Sequence, residues 1–396
     1  MPTAPLAARP PPAKFVLVGM LYNDPMSEPR TLDEIPTPAL LLDLAAFEEN
    51  LRRLAQHCRQ RNIAFRPHAK SHKCPEIARR QIASGAIGLS VATVDEAEAM
   101  ARAGLSGLLL TSPIVEPGKI ERMVALIRSG IGVMLAVGQV REAELLAEAA
   151  RQAGVTVPVL IDLDVGDRRT GALPGPPAVA LAQRIAEHRS LRLQGLQAYA
   201  GHASHVVGYE ARKTASRKAI SQALETRDLL IRTGFAAAML SVGSTGTYDI
   251  DSEIPGVTEL QCGSYLFMDL GYRCIGGANA DRFEDFRFSL TVLTTVISAE
   301  HRDRVTVDAG IKAFSTDTPL KPEAVHRPGL VLTWVGDEFG MVTATDGGEL
   351  PRLGERLRFL VPHCDPTVNL YDRLYLMREQ NVVDVWKITA RRRADS

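Results

Sequence analysis

The chain has 396 residues, 45% of them apolar and 23% charged, with 46 lysines and arginines balanced by 46 aspartates and glutamates. That length accommodates a sizeable core and two domains, and the balanced charge excludes a general affinity for nucleic acid or an anionic membrane surface. The five cysteines (Cys58, Cys74, Cys262, Cys274, Cys364) are odd in number and form no CxxC pair, so a reduced, cytoplasmic protein is expected.

Residues 1–12, rich in alanine and proline, have the composition of a disordered segment. Residues 14–22 are apolar but too short to span a bilayer, and no small-residue cleavage site follows. They are expected to be an extension, or a strand packed on a second domain. Residues 39–42 read as a strand, and Asp43 as the N-cap of a helix in which Leu44, Phe47, Leu51 and Leu54 recur at helical spacing. Strands and helices alternate from there. Apolar runs fall at 63–65, 87–91, 107–110, 131–137, 155–163, 193–199, 238–242 and 259–261, with helical stretches at 75–84, 94–103, 118–128, 139–153, 176–188 and 210–233. This pattern predicts an α/β fold, a TIM-like (β/α)8 barrel of parallel strands. An open doubly wound sheet is the competitor, weakened because no GxGxxG follows the first strand. After Arg282 the runs become strand-like (288–298, 304–309, 329–335, 340–343, 356–361, 373–378, 381–388), with turns such as Asp346-Gly347-Gly348. The expected division is an extension over 1–36, a barrel over 37–280 and a mainly β domain over 281–396.

Barrel enzymes carry their chemistry at the carboxyl ends of the strands, and the polar clusters fall there. The first is Arg66-Pro-His-Ala-Lys-Ser-His-Lys73, followed by a helix that Pro75 opens. A lysine held just past a buried strand is expected to have a lowered amine pKa and to act as a Schiff-base nucleophile, although a solvated basic loop fits this stretch equally well. Asp162-Leu-Asp-Val-Gly-Asp-Arg-Arg-Thr-Gly171 follows the fifth strand, and Gln197-Ala-Tyr199 with His202 and His205 ends the sixth. Gly243, Ser244, Thr245 and Gly246 after the seventh strand, with Gly263, Ser264 and Tyr265 after the eighth, suit a phosphate cradle. Each loop alone reads as a turn. Together with a strand-end lysine they suggest pyridoxal phosphate. In the β domain, His363 and Asp365 alternate on a strand-like segment, so both emerge on one face with Cys364 on the other. They could hold a divalent ion with positions left open; an incidental hydrogen-bonded couple is the plainer alternative.

These motifs, with Gln261-Cys-Gly-Ser-Tyr265, Phe267-Met-Asp269 and Val307-Asp-Ala-Gly310, resemble the D-threonine aldolase/D-serine dehydratase family of alanine-racemase-like enzymes. The resemblance covers almost everything beyond Thr37. It implies pyridoxal 5'-phosphate carried as a Schiff base on Lys70 rather than Lys73, with His68, Arg169 and Tyr199 near it. Gly243, Ser244, Thr245, Gly246, Gly263, Ser264 and Tyr265 would then surround the phosphate, with His363 and Asp365 as metal ligands. His205 would be the base at the substrate hydroxyl, with His202 its rival. In this family the dehydratase branch is similar to His-x-Cys with zinc, the aldolase branch to His-x-Asp with manganese or magnesium. Asp365, a hard carboxylate, favours Mn2+ or Mg2+ over Zn2+, and with it an aldolase cleaving a D-3-hydroxy amino acid to glycine and an aldehyde. Dehydration of D-serine or D-threo-3-hydroxyaspartate to a keto acid and ammonia is the alternative. Racemisation and non-catalytic cofactor binding are weaker rivals. The sequence departs from the family pattern at Ser90-Val-Ala-Thr93, Ser112-Pro113 and Val242-Gly-Ser244, which leaves the preferred side chain open. A homodimer is implied by resemblance only.

Overall fold

Asp43 closes one element and starts the next. It ends β1 (Ala39–Asp43), and its carboxylate accepts the Ala46 N–H at 2.9 Å, capping the helix Leu44–Arg61. Leu44, Phe47, Leu51 and Leu54 are buried along one side of that helix, as their spacing predicts, and Asn62 ends it in the left-handed conformation. The computed structural model describes residues 28–345 and 348–391. The apolar stretch at 14–22, the Ala- and Pro-rich segment before it, and Asp346-Gly347 of the expected turn lie outside those residues.

Eight short strands follow: β2 (Ala64–Phe65), β3 (Leu89–Val91), β4 (Leu108–Leu110), β5 (Val133–Val137), β6 (Val157–Asp162), β7 (Leu191–Gln197), β8 (Met239–Val242) and β9 (Glu259–Leu260). They pair in parallel in the order β2-β9-β8-β7-β6-β5-β4-β3. Helices such as Pro75–Ala83, Val94–Arg102 and Pro117–Arg128 cross between them. Strands such as β3 and β4 are buried on both sides, hence their near-continuous apolar runs. The expectation of a closed barrel needs correction. Between β2 and β3 there is no ladder: an isolated bridge of His68 with Ser90, the backbone bonds Ile87 N–H to Phe65 O and Ser90 N–H to Pro67 O, and the Ser90 hydroxyl on the Arg66 carbonyl at 3.0 Å span the gap. The strand β2 is two residues long, and Pro67 has no N–H with which to extend it. The parallel sheet is left open along this seam.

The remaining strands are β10 (Leu290–Ser298), β11 (Val305–Val307), β12 (Glu323–Ala324), β13 (Leu330–Trp334), β14 (Gly340–Ala344), β15 (Arg356–Leu360), β16 (Arg373–Arg378) and β17 (Asn381–Lys387). They form the mostly antiparallel sheet β11-β14-β13-β12-β15-β10-β1-β16-β17. Although β1 falls in the stretch assigned to the barrel, it pairs antiparallel with β10 and parallel with β16. Its four leading residues are all buried and so need cover on both sides. Leu40 and Leu42 join the main core beneath the helix, while Ala39 and Leu41 pack with Ile35, Leu293, Tyr375 and Met377. No helix among the described residues is long and apolar enough to cross a membrane.

Candidate active site

The carboxyl ends of the parallel strands and the segment after β15 enclose a cavity of about 360 Å³. On the β2 side, His68 caps a single helical turn, Ala69–Ser71, by accepting the Lys70 N–H on Nδ1 at 3.4 Å. The ring proton therefore sits on Nε2, 3.1 Å from the Thr111 hydroxyl, which itself donates to the Val91 carbonyl. Burial, reinforced by the Lys70 charge, pushes the His68 pKa well below its ordinary value, so the ring is neutral. Lys70 enters the cavity, whereas Lys73 turns away to pair with the buried Glu96. The lowered amine pKa expected for Lys70 is not found. Burial does act in that direction, but the Asp365 carboxylate 3.7 Å away and the Tyr199 phenol outweigh it and raise the pKa.

Across the cavity lie Gly243, Ser244 and Thr245 from the turn after β8, and Gly263 and Ser264 from the turn after β9. Gly243 has a φ of +96°, and a Cβ there would meet the Leu260 side chain at 2.9 Å. A Cβ on Gly263 would press on the His68 carbonyl at 3.1 Å. The Ser244 N–H donates to Thr247 Oγ1 at 3.3 Å, and Thr247 donates to the buried Asp251 at 2.6 Å. The Thr245 hydroxyl is buried on this wall with no hydrogen-bond partner among the described residues. A buried orphan donor beside glycine turns fits a phosphate, and the residues present therefore suit pyridoxal phosphate. The Ser264 hydroxyl donates to Asp365 at 3.1 Å instead. Gly246 and Tyr265 do not line the cavity. The Gly246 carbonyl is held by Arg212 at 2.7 Å, and the Tyr265 hydroxyl accepts from Gln81 at 3.3 Å.

Beneath the cavity runs a chain of polar side chains that the sequence did not announce. The buried pair Arg66–Glu259, at 3.2 Å, accepts the Ser241 hydroxyl at 2.6 Å. Gln261 donates to Ser241 at 2.7 Å and to Gln197 at 3.3 Å. Gln197 donates to Asp162 at 2.9 Å, and Thr170 donates to the same carboxylate at 2.8 Å. Gln197, Gln261 and Thr170 are cavity wall as well as links in this chain.

The opposite wall comes from the second sheet. The strand-like alternation expected of His363 and Asp365 is corrected: β15 ends at Leu360, and a helical turn, Cys364–Val368, starts with His363 as its N-cap. Both side chains nonetheless line the cavity, and Cys364 is buried. Asp269 pins this segment to the parallel sheet by accepting the Tyr272 N–H and the Cys364 N–H, each at 2.9 Å. Burial raises the Asp365 pKa, but Lys70 and His363 more than offset it and hold the carboxyl at about 2. For His363, burial is outweighed by Asp365, Asp269 and Asp317, and its pKa rises. Among the described residues no group of three or more His, Cys, Asp or Glu side chains is placed to hold a metal ion.

His205 also reaches the cavity, its ring 4.5 Å from that of Tyr272, while His202 stays outside with its backbone N–H on Asp167. Burial and the neighbouring His363 lower the His205 pKa, leaving the ring neutral near pH 7. Tyr272 is a wall residue that sequence reading missed; the signal was Asp269, capping the turn that carries it. The Arg169 guanidinium lies over the Tyr199 ring at 5.1 Å, and both line the cavity.

Residues 42–271 match the family described as the N-terminal domain of alanine racemase, and residues 289–377 the one described as a putative serine dehydratase domain. The chain is 38% identical to a D-threonine aldolase of an Arthrobacter species, over 95% of its own length and 98% of that protein's. It is 34% identical to a 3-hydroxy-D-aspartate aldolase of Paracoccus denitrificans (strain Pd 1222), over 93% and 96%. The crystal structure of D-threonine aldolase from Filomicrobium marinum superimposes with a TM-score of 0.87 at 34% identity, covering 92% of this chain and 98% of that one. That of D-threo-3-hydroxyaspartate dehydratase from Delftia sp. HT23 gives 0.82 at 29% identity, covering 90% and 98%. A cysteine-to-alanine variant of the same dehydratase is described as a metal-free form.

Proposed function

We propose, since this chain belongs to the alanine-racemase-like pyridoxal phosphate family in its D-threonine aldolase and 3-hydroxyaspartate aldolase–dehydratase branch, that it is a metal-dependent lyase cleaving D-3-hydroxy amino acids to glycine and an aldehyde. The observation that carries this reading is the convergence of Lys70, Asp365, His363 and His205 on one cavity whose wall also holds glycine turns and the orphan Thr245 hydroxyl. Lys70 would hold the cofactor through its amine, and the turns bearing Ser244, Thr245 and Gly263 would hold its phosphate. His363 and Asp365 would hold a divalent ion, Mn2+ or Mg2+ by the hardness of the carboxylate. When bound, the cofactor supplies an electron sink for charge developing at Cα, and the ion a Lewis acid at the β-hydroxyl.

The chain's own groups do the rest. His205 is neutral, so its ring can take the β-hydroxyl proton whose loss accompanies Cα–Cβ cleavage. Tyr272, whose phenol pKa burial raises well above the ordinary value, stays protonated beside it and keeps the imidazole in place by ring contact. Arg169, stacked on Tyr199, is a cation at the mouth suited to the substrate carboxylate. The buried chain from Arg66 to Asp162 fixes the orientation of Gln197 and Gln261 before any substrate arrives.

Asp365 as partner of His363, rather than a thiolate, favours cleavage over dehydration. The test is incubation with D-threonine, D-phenylserine, D-3-hydroxyaspartate and D-serine after chelation, with and without added Mn2+. Glycine and an aldehyde, formed only with metal, are expected; a keto acid and ammonia as the main products would refute aldol cleavage. Free thiols at all five cysteines favour a reducing, cytoplasmic setting. A homodimer completes the proposal, to be read from the mass in solution.

A further inference from the structure

We propose that Asp317 is a positioning residue for His363: its carboxylate engages Nδ1 and so leaves Nε2 as the ring nitrogen offered to a divalent cation. The inference rests on reading His363 and Asp365 as the metal donors, and it concerns a residue outside the cavity wall and outside that pair.

The His363 Nδ1 lies 2.7 Å from Asp317 Oδ2. A carboxylate can only accept, so Nδ1 carries the hydrogen, and in the neutral ring the lone pair is on Nε2. The backbone beneath the ring is held on both sides: the His363 N–H donates to Ser315 Oγ at 3.0 Å, and its carbonyl accepts the Thr367 hydroxyl at 2.7 Å. The loop that delivers Asp317 is tied to the same helical turn, since the Ser315 N–H donates to Thr367 Oγ1 at 3.1 Å. Further back, the Tyr371 hydroxyl holds the Ala313 carbonyl at 2.9 Å, and Phe314 packs between the rings of Trp334 and Phe359. Asp317 therefore meets the ring from an anchored loop and is not itself part of the cavity wall.

A half-exposed His–Asp couple at this distance contributes little to stability. A carboxylate behind a metal-binding imidazole does something else: it selects the tautomer, fixes the ring plane and strengthens the donor nitrogen. Asp365 cannot do this for its partner, because its own oxygens are turned to Ser264 and Lys70.

The test is Mn2+ titration of chelated, cofactor-loaded enzyme, read by the electron paramagnetic resonance of free Mn2+, for wild type, D317A, D317N and H363A. D317A is expected to bind Mn2+ about 10- to 100-fold more weakly, with the melting temperature of the chelated protein unchanged. D317N keeps an oxygen to accept the Nδ1 hydrogen but loses the charge, so an intermediate affinity is expected. Should D317A fold poorly, D317N decides. Wild-type affinity in both Asp317 variants, with binding lost in H363A, overturns the role of Asp317 alone. Wild-type affinity in H363A overturns the metal reading itself.

Discussion

The cavity wall built by the parallel sheet and the wall built after β15 treat their polar groups differently. On the sheet side, Arg66, Glu259, Ser241, Gln261, Gln197, Asp162 and Thr170 are joined in one hydrogen-bonded chain, and His68 is neutral. On the other side Asp365 faces the Lys70 ammonium at 3.7 Å, and His363 has spent one nitrogen on Asp317. The first wall is joined internally along that chain, while the Thr245 hydroxyl beside it has no partner among the described residues. The second holds its charged groups as pairs, Asp365 with Lys70 and His363 with Asp317. Mutations on the two sides should therefore fail in different ways.

The largest effect should come at the point where the walls meet. Lys70→Ala should remove the visible absorbance of the bound cofactor and cut turnover by roughly 10^3- to 10^4-fold, with the fold intact. Retention of both signals would refute the assignment. On the sheet side, Glu259→Ala leaves Arg66 buried without its carboxylate and should destabilise the protein by about 3–5 kcal/mol in denaturant unfolding. Mn2+ affinity of the folded fraction should stay near that of wild type. On the other side, Asp365→Ala should lower metal-supported turnover by about 100-fold and abolish its dependence on added Mn2+, without that loss of stability.

The smallest effect sharpens the contrast further. Burial raises the Asp251 pKa to about 6, above the ordinary carboxylate range, although Ser216 and Thr247 donate to it. The folded protein thus holds a proton that the unfolded chain releases, so stability from this group is present at low pH and is lost as pH rises from about 4 to about 6. Unfolding midpoints of Asp251→Asn should depend less on pH across that window than those of wild type. Identical slopes would show that Asp251 titrates normally.

What the sequence disclosed follows from the range of the interactions involved. The helix from Leu44 and its Asp43 cap rest on contacts a few residues apart, and the strand-end lysine sits beside its own strand. The choice between Lys70 and Lys73 needed the position of Glu96, which belongs to a different helix. The seam beside β2 turns on Pro67, whose missing donor was visible but whose neighbour was not. For His363 and Asp365 the pairing was legible and the local structure was misread. Pro366, which cannot serve a central ladder and is tolerated in the first turn of a helix, carried the contrary signal. The polar chain joins residues scattered from Arg66 to Gln261, and no local pattern could have revealed it.

Because β1 sits between β10 and β16, the two structural units are laced through one another. A fragment started at residue 281 would lack an interior strand, leaving β10 and β16 with unpaired edges that invite self-association. On the ribosome, the segment Ala39–Asp43 emerges early and must wait for Arg373–Arg378 before its second neighbour exists. Completion of this sheet is thereby deferred until β16 has been made, and deleting β16 and β17 should impair the first strand as much as the last.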